Sequence, residues 1–126
     1  MSAVALEARP FASMGDLGLD RRKVTQCALS RICGVCGESL ERPVVFLGSV
    51  AEVHANAFHF PPSHVGCAEA ALEVWGPSSA ALGHPTTPDS WVLVTTSGFE
   101  FVRPTPEWDD RRPVFAPNSV IETRLI

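Results

Sequence analysis

Residues 31–50 read RICGVCGESLERPVVFLGSV, and residues 60–75 read FPPSHVGCAEAALEVW. Together they hold Cys33-x-x-Cys36 and His64-x-x-Cys67, three thiols and one imidazole in two closely spaced pairs. Sulfur and imidazole nitrogen are the donors that tetrahedral zinc takes, and three cysteines with one histidine form a closed structural set. The two-residue turn lets Cys33 and Cys36 aim at one ion, and Gly34 and Gly37 relieve backbone crowding around it. His64 and Cys67 stand three apart at the start of an apolar-periodic run, so both project from one helix face. The helix N-terminus also favours thiolate at Cys67. The pattern therefore predicts one structural zinc ion on Cys33, Cys36, His64 and Cys67.

Four good ligands leave no open position, whereas catalytic zinc keeps one for water or substrate. A redox role for Cys33 and Cys36 would need a βαβ context that the flanking pattern lacks. Zinc deaminases place H-x-E before P-C-x-x-C. Here the order is reversed, His54 is followed by Ala55-Asn56, and no proline precedes Cys33. No H-E-x-x-H, G-x-S-x-G or phosphate-cradling glycine loop occurs. No catalytic residue is assigned.

Around the four ligands, Val44–Leu47 reads as a strand, Gly48-Ser49 as a turn, and residues 51–60 as a returning strand. Pro61 and Pro62 stop it, Ser63 is placed as an N-cap, and HVGCAEAALEVW reads as a helix with Val65, Ala68, Ala71, Leu72 and Trp75 on overlapping faces. Gly76-Pro77 marks its end. Cysteine knuckle, hairpin and ligand-bearing helix, in that order over about 32–76, resemble a treble-clef zinc finger. The 27 residues between Cys36 and His64 exceed the spacing of the tightest fingers, so the hairpin would carry an insertion. CGVCG followed by FPPSHVGCA is also similar to small zinc-binding proteins of actinobacteria and their phages that have no assigned activity.

A length of 126 residues predicts one domain. Hydrophobic residues at 45% against 19% charged argue for a packed core, while eleven prolines and nine glycines predict a loop-rich chain that needs a staple. Residues 1–22 are expected as a flexible arm and 23–126 as a single zinc-stabilised domain. Asp20 is a candidate cap for a short helix carrying Val24, Cys27 and Ala28, and residues 77–90 read as loop. A β-rich extension over about 90–126 follows: Trp91–Thr96, a Ser97-Gly98 turn and Phe99–Val102 predict a hairpin. VFAP and SVIETRLI follow as short edge strands. The fold class expected is α+β, a small treble-clef zinc-binding domain with an additional C-terminal β-hairpin.

A formal net charge of −4 does not suit a dedicated non-specific nucleic-acid binder. Arg21, Arg22, Lys23, Arg31 and Arg42 read as a solvated face, with a DNA- or RNA-binding regulator as the alternative. No apolar run approaches the roughly 18 residues that span a bilayer. The N-terminus lacks a basic leader region, so a cytoplasmic, reducing setting is expected. Cys27 is expected to be a buried free thiol rather than a fifth ligand. His54, Asn56 and His59 invite comparison with HNH-type metal nucleases, but His54 and His59 would face opposite sides of a regular strand, and His59 is expected at the core edge or behind the ligands. His84 is expected in solvent. The run Glu107-Trp108-Asp109-Asp110-Arg111-Arg112 combines an aromatic residue with charges of both signs, a composition favoured at interfaces. The function expected is a non-enzymatic protein-interaction or accessory module, with nucleic-acid regulation second and a nuclease third.

Overall fold

The structure is a computed structural model that describes residues 9–126. Among these residues three α-helices and five strands make a mixed α+β fold: α1 (Arg21–Ser30), β1 (Val44–Ser49), α2 (Val50–Ala55), α3 (Val65–Trp75), β2 (Trp91–Thr96), β3 (Phe99–Val102), β4 (Val114–Pro117) and β5 (Val120–Leu125). One antiparallel sheet has the order β1-β2-β5, and a second pairs β3 with β4. No helix among these residues is long and apolar enough to cross a membrane.

β1 sets the layering. Its sequence VVFL is apolar at consecutive positions, which suits a strand covered on both faces rather than one. Val44 and Phe46 belong to a core with Val24 and Cys27 of α1, Phe58 and Phe115. Phe46 stacks on Phe58 at 5.6 Å and meets Phe99 edge-on at 5.6 Å, arrangements aromatic rings prefer. Val45 and Leu47 face the other way, with Leu93 of β2, against Ala68, Ala71 and Leu72 of α3. The three-stranded sheet is thus the middle layer, and α3 is held on one side of it.

Several sequence-based expectations change. Residues 51–60 do not return as a strand; Val50–Ala55 is helical, because Ser49 accepts from Glu52 N while the Glu52 carboxylate accepts from Ser49 N. This reciprocal capping box is written in the sequence as S-x-x-E. β1 pairs instead with β2, Val44 opposite Thr96 through Ser49 opposite Trp91. Strands form at Trp91–Thr96 and Phe99–Val102, but they do not pair with each other: β2 has β1 on one edge and β5 on the other, so β3 pairs with β4. At the bend the Thr96 hydroxyl donates to Gly98 O and accepts from Gly98 N and Ser119 N, steering β3 away.

The helix over 65–75 forms, but its N-cap is His64; Ser63 is fully buried and exchanges backbone hydrogen bonds with Val45. The α-helix ends at Gly76-Pro77 as expected, but the following residues are not all loop: Gly76–Leu82 forms tight turns, broken at Ser78, that bury Ala81 and Leu82. Asp20 caps α1 through Arg22 N and Lys23 N, as expected. Of the arm expected over 1–22, residues 1–8 lie outside the described residues, and the rest is not free: Pro10, Ala12 and Ser13 are buried. Phe11 N and Ala12 N donate to Val35 O and Gly34 O, so this segment lies along the knuckle.

Candidate metal centre

The knuckle is shaped by its own backbone. Ile32 and Ser39 form a β-bridge, Cys33 N donates to Glu38 O, and Gly37 N donates to Cys33 O. Gly37 has φ of 76°, the left-handed conformation that lets the chain reverse after Cys36. Cys33 Sγ accepts from the N–H groups of Val35 (3.3 Å) and Cys36 (3.5 Å), which orients a sulfur carrying negative charge. The knuckle docks onto the helix strap through Gly34 N, which donates to Pro62 O. A Cβ at Gly34 would stand 2.9 Å from the Phe60 ring and 3.0 Å from Pro61, so only glycine lets knuckle and strap approach this closely.

Cys33, Cys36, His64 and Cys67 come together with their ligand atoms all within 4.8 Å of one another, and among the described residues no other such group is found. His64 Nε2 lies 2.9 Å from Ser39 O. A carbonyl only accepts, so Nε2 carries the proton and Nδ1 turns its lone pair towards the sulfurs. Nδ1 stands 3.5 Å from Cys36 Sγ and 3.7 Å from Cys67 Sγ. Metal–sulfur and metal–nitrogen bonds of about 2.3 and 2.05 Å at tetrahedral angles separate sulfur from nitrogen by about 3.6 Å. The observed separations match that edge length. Fixing one imidazole nitrogen on a carbonyl so that the other faces the metal is also how ligand histidines are held.

The electrostatics point the same way. Burial works against thiolate at Cys33, but the backbone N–H groups of Cys36, His64 and Val35 outweigh it and bring the thiol down to about 7. Burial, then the charge on Cys33 and Cys36, pushes Cys67 up to about 12, and burial also raises Cys36. One negative charge is comfortable at this spot and three are not. A divalent cation at the centre would remove that repulsion and bring all three sulfurs to thiolate. The donor set and its geometry therefore fit a single metal ion with a closed shell.

Cys27 is fully buried beside this group and is not part of it. Burial, then the neighbouring Cys33 charge, pushes its thiol up to about 12, the behaviour of an inert core thiol.

A second polar cluster was only half visible in the sequence. Glu52 is 8% exposed, yet its carboxylate accepts from Ser49 N (3.1 Å) and His59 N (3.1 Å), and pairs with His59 Nδ1 (3.0 Å) and His84 Nε2 (3.1 Å). Burial opposes ionisation here, but the hydrogen bonds from His59 and His84 prevail and hold the carboxyl at about 2. His84, expected in solvent, is instead tucked against Glu52 and edge-on to Trp91 at 5.0 Å. His59 Nε2 reaches Asp110 at 3.4 Å, and Asp110 is gripped by Arg112, whose guanidinium also donates to Gly83 O. His54 is exposed and takes no part, so His54 and His59 are not brought together. The cavity beside His59, lined by Leu19, Arg21, Val24 and Arg112, has a volume of about 70 Å³. That is well below the roughly 300 Å³ at which small-molecule pockets begin.

The Trp108 loop is pinned rather than extended. Trp108 is half-buried, Arg111 Nε donates to Trp108 O, and Arg21 donates to Arg111 O. Of the basic residues, Lys23 lies 5.2 Å over the Phe11 ring and Arg31 5.1 Å over Phe99, so both cations already have a partner. No family model, curated protein or solved structure matches this chain.

Proposed function

We propose that Cys33, Cys36, His64 and Cys67 hold one structural zinc ion and that the chain acts as a non-enzymatic protein-interaction or accessory module. The observation that carries this reading is the closed four-donor shell, with Nδ1 of His64 turned inward by the Ser39 carbonyl and no ligand position left for a substrate. Soft thiolates with one imidazole select zinc over the oxygen-preferring divalent ions. Knuckle and ligand-bearing helix follow each other as in a treble clef, with β1 and α2 standing where a hairpin is usual; the likeness to that finger class rests on these two parts. Cytoplasmic residence agrees with four unpaired cysteines, since thiols there bind metal or stay reduced.

Protein partners are favoured over nucleic acid by the net charge of −4 and by the engagement of Lys23 and Arg31 with aromatic rings. The interaction surface this reading nominates is the loop around Trp108, with Asp109 and Arg111 exposed on it. The test has two parts. Native mass spectrometry should find one zinc per chain, and X-ray absorption should give three sulfurs and one nitrogen. Nuclease-treated affinity purification from the source cells should then recover a stoichiometric protein that Trp108→Ala releases. In a parallel purification without nuclease, recovery of nucleic acid alone, with affinity that falls steeply with salt, would replace this reading with the regulator. More than one metal per chain would revive a nuclease.

A further inference from the structure

β5 closes one side of the three-stranded sheet, and among the described residues nothing pairs with its outer edge. All six of its residues are exposed, including Val120 (51%), Ile121 (62%) and Leu125 (66%), and Ile126 beside it is 57% exposed. An edge strand with unpaired N–H and C=O groups and apolar side chains is a template for another strand unless it is blocked.

The ladder with β2 determines which groups are free. Ile126 N donates to Trp91 O, so Ile126 and Trp91 are a hydrogen-bonded pair. Pairs alternate in an antiparallel ladder. Arg124 (opposite Leu93) and Glu122 (opposite Thr95) therefore also spend their backbone groups on β2. Thr123 and Leu125 turn theirs outward. Glu122 and Arg124 share one face of the sheet, the α3 side, where Arg124 bonds Glu69 at 2.7 Å. Leu125, opposite Val92, lies on the other face, as a continuation of the layer that carries Phe46 and Val94.

We propose that β5 pairs antiparallel with β5 of a second copy of this chain, about a two-fold axis through Thr123. Outward-facing groups must meet outward-facing groups, so a two-fold axis can pass through a residue but not between two. Centring on Glu122 sets Glu122 against its own copy, and centring on Arg124 sets Arg124 against its own copy; each places like charges directly opposite, which destabilises a pair. Centring on Thr123 sets Glu122 against Arg124 twice and brings Leu125 of each copy towards Ile121, the bulge residue of the other. Both charged pairs are then complementary, and Thr123 meets its own copy without a charge conflict. The β-bulge between Thr95 and Thr96, where β5 carries an extra residue, bends the strand near Ile121 and keeps the regular paired stretch short. The result is a six-stranded sheet across an isologous, self-complementary interface of modest strength.

The proposal stands apart from the zinc and partner readings, because it concerns the zinc-loaded protein with itself. Sedimentation velocity over a concentration series should show a monomer–dimer equilibrium for the wild-type holoprotein. Glu122→Arg should weaken it about tenfold or more, since both opposite-charge pairs become Arg–Arg pairs. Arg124→Glu should do the same, and an equimolar mixture of the two variants should recover dimer as the heterodimer. Thr123→Pro removes an N–H that β2 does not use, so it should abolish the dimer while leaving monomer circular dichroism and zinc content unchanged. A chain that stays monomeric at the highest attainable concentration overturns the proposal. So does a dimer indifferent to Glu122→Arg and Thr123→Pro, which would place the interface elsewhere.

Discussion

Glu52→Gln is the most informative single substitution. The carboxylate is almost fully buried and bonded to two backbone N–H groups and two imidazoles. Gln keeps the size but loses the charge, and its NH2 group must face N–H donors that it cannot accept from. The carboxyl is lowered from 4.5 to about 2 in the folded chain. At about 1.4 kcal/mol per unit, that difference corresponds to roughly 3 kcal/mol of stability. A folded-state value below the unfolded one means the stability is fully present above pH 4.5 and is lost as pH falls towards 2. Urea unfolding of zinc-loaded wild type and Glu52→Gln should therefore differ by about 3 kcal/mol near neutrality. The gap should shrink as the pH drops through that window, where the protonated acid and the amide become near-equivalent. The gap is read only at pH values where both proteins still hold the metal, because metal loss would unfold both and close the gap by itself. A variant within about 0.5 kcal/mol of wild type, the range of ordinary surface substitutions, would refute the argument. A gap that does not change with pH would refute it equally.

Three further expectations concern the core and the metal. Removing the metal with a strong chelator should unfold residues 33–75, because structural zinc contributes on the order of 10–16 kcal/mol in finger peptides; native circular dichroism of metal-free protein would contradict this. Gly48→Ala places a Cβ 2.5 Å from Glu52 Oε1 and 2.6 Å from the Phe58 ring, so it should cost about 1–3 kcal/mol by overpacking, read from the urea midpoint. Cys27→Ser buries a hydroxyl in an apolar pocket and should cost about 1–3 kcal/mol while metal content stays at one per chain. A drop in metal content would make Cys27 a ligand after all.

The grouping of Cys33, Cys36, His64 and Cys67 was legible because its signal is local: two pairs at fixed short spacing, each on an element the neighbouring residues specify. α1 and α3 were legible for the same reason, through the Asp20 cap and the Ala68/Ala71/Leu72 stripe. Strand positions at Val44–Leu47, Trp91–Thr96 and Phe99–Val102 could be read from β-branched and aromatic runs, but not their pairing; Gly48 and Ser49, expected as a turn, extend the first strand instead. Residues 91–102 look like a hairpin from either side of Gly98, and only the competition of β1 and β5 for β2 overrides it. The helix at Val50–Ala55 was hidden for a different reason. Its alternating pattern suits a strand, and the Ser49/Glu52 capping box outweighs it. His84 was misplaced because nothing near it in sequence names Glu52, 32 residues earlier, as the partner that draws it in.

The pairing of β1 with β2 also orders events in time. The Cys33, Cys36, His64 and Cys67 group proposed to hold zinc is complete once residue 67 has been made, whereas the strand that covers the open edge of β1 begins only at Trp91. A chain emerging from the ribosome can close its metal loop while β1 is still unpaired, and long-range strand pairing is the slower step. Metal supply should then govern how long that apolar edge stays open to aggregation during synthesis. The centre would act as a timer for assembly as well as a clamp on the finished fold.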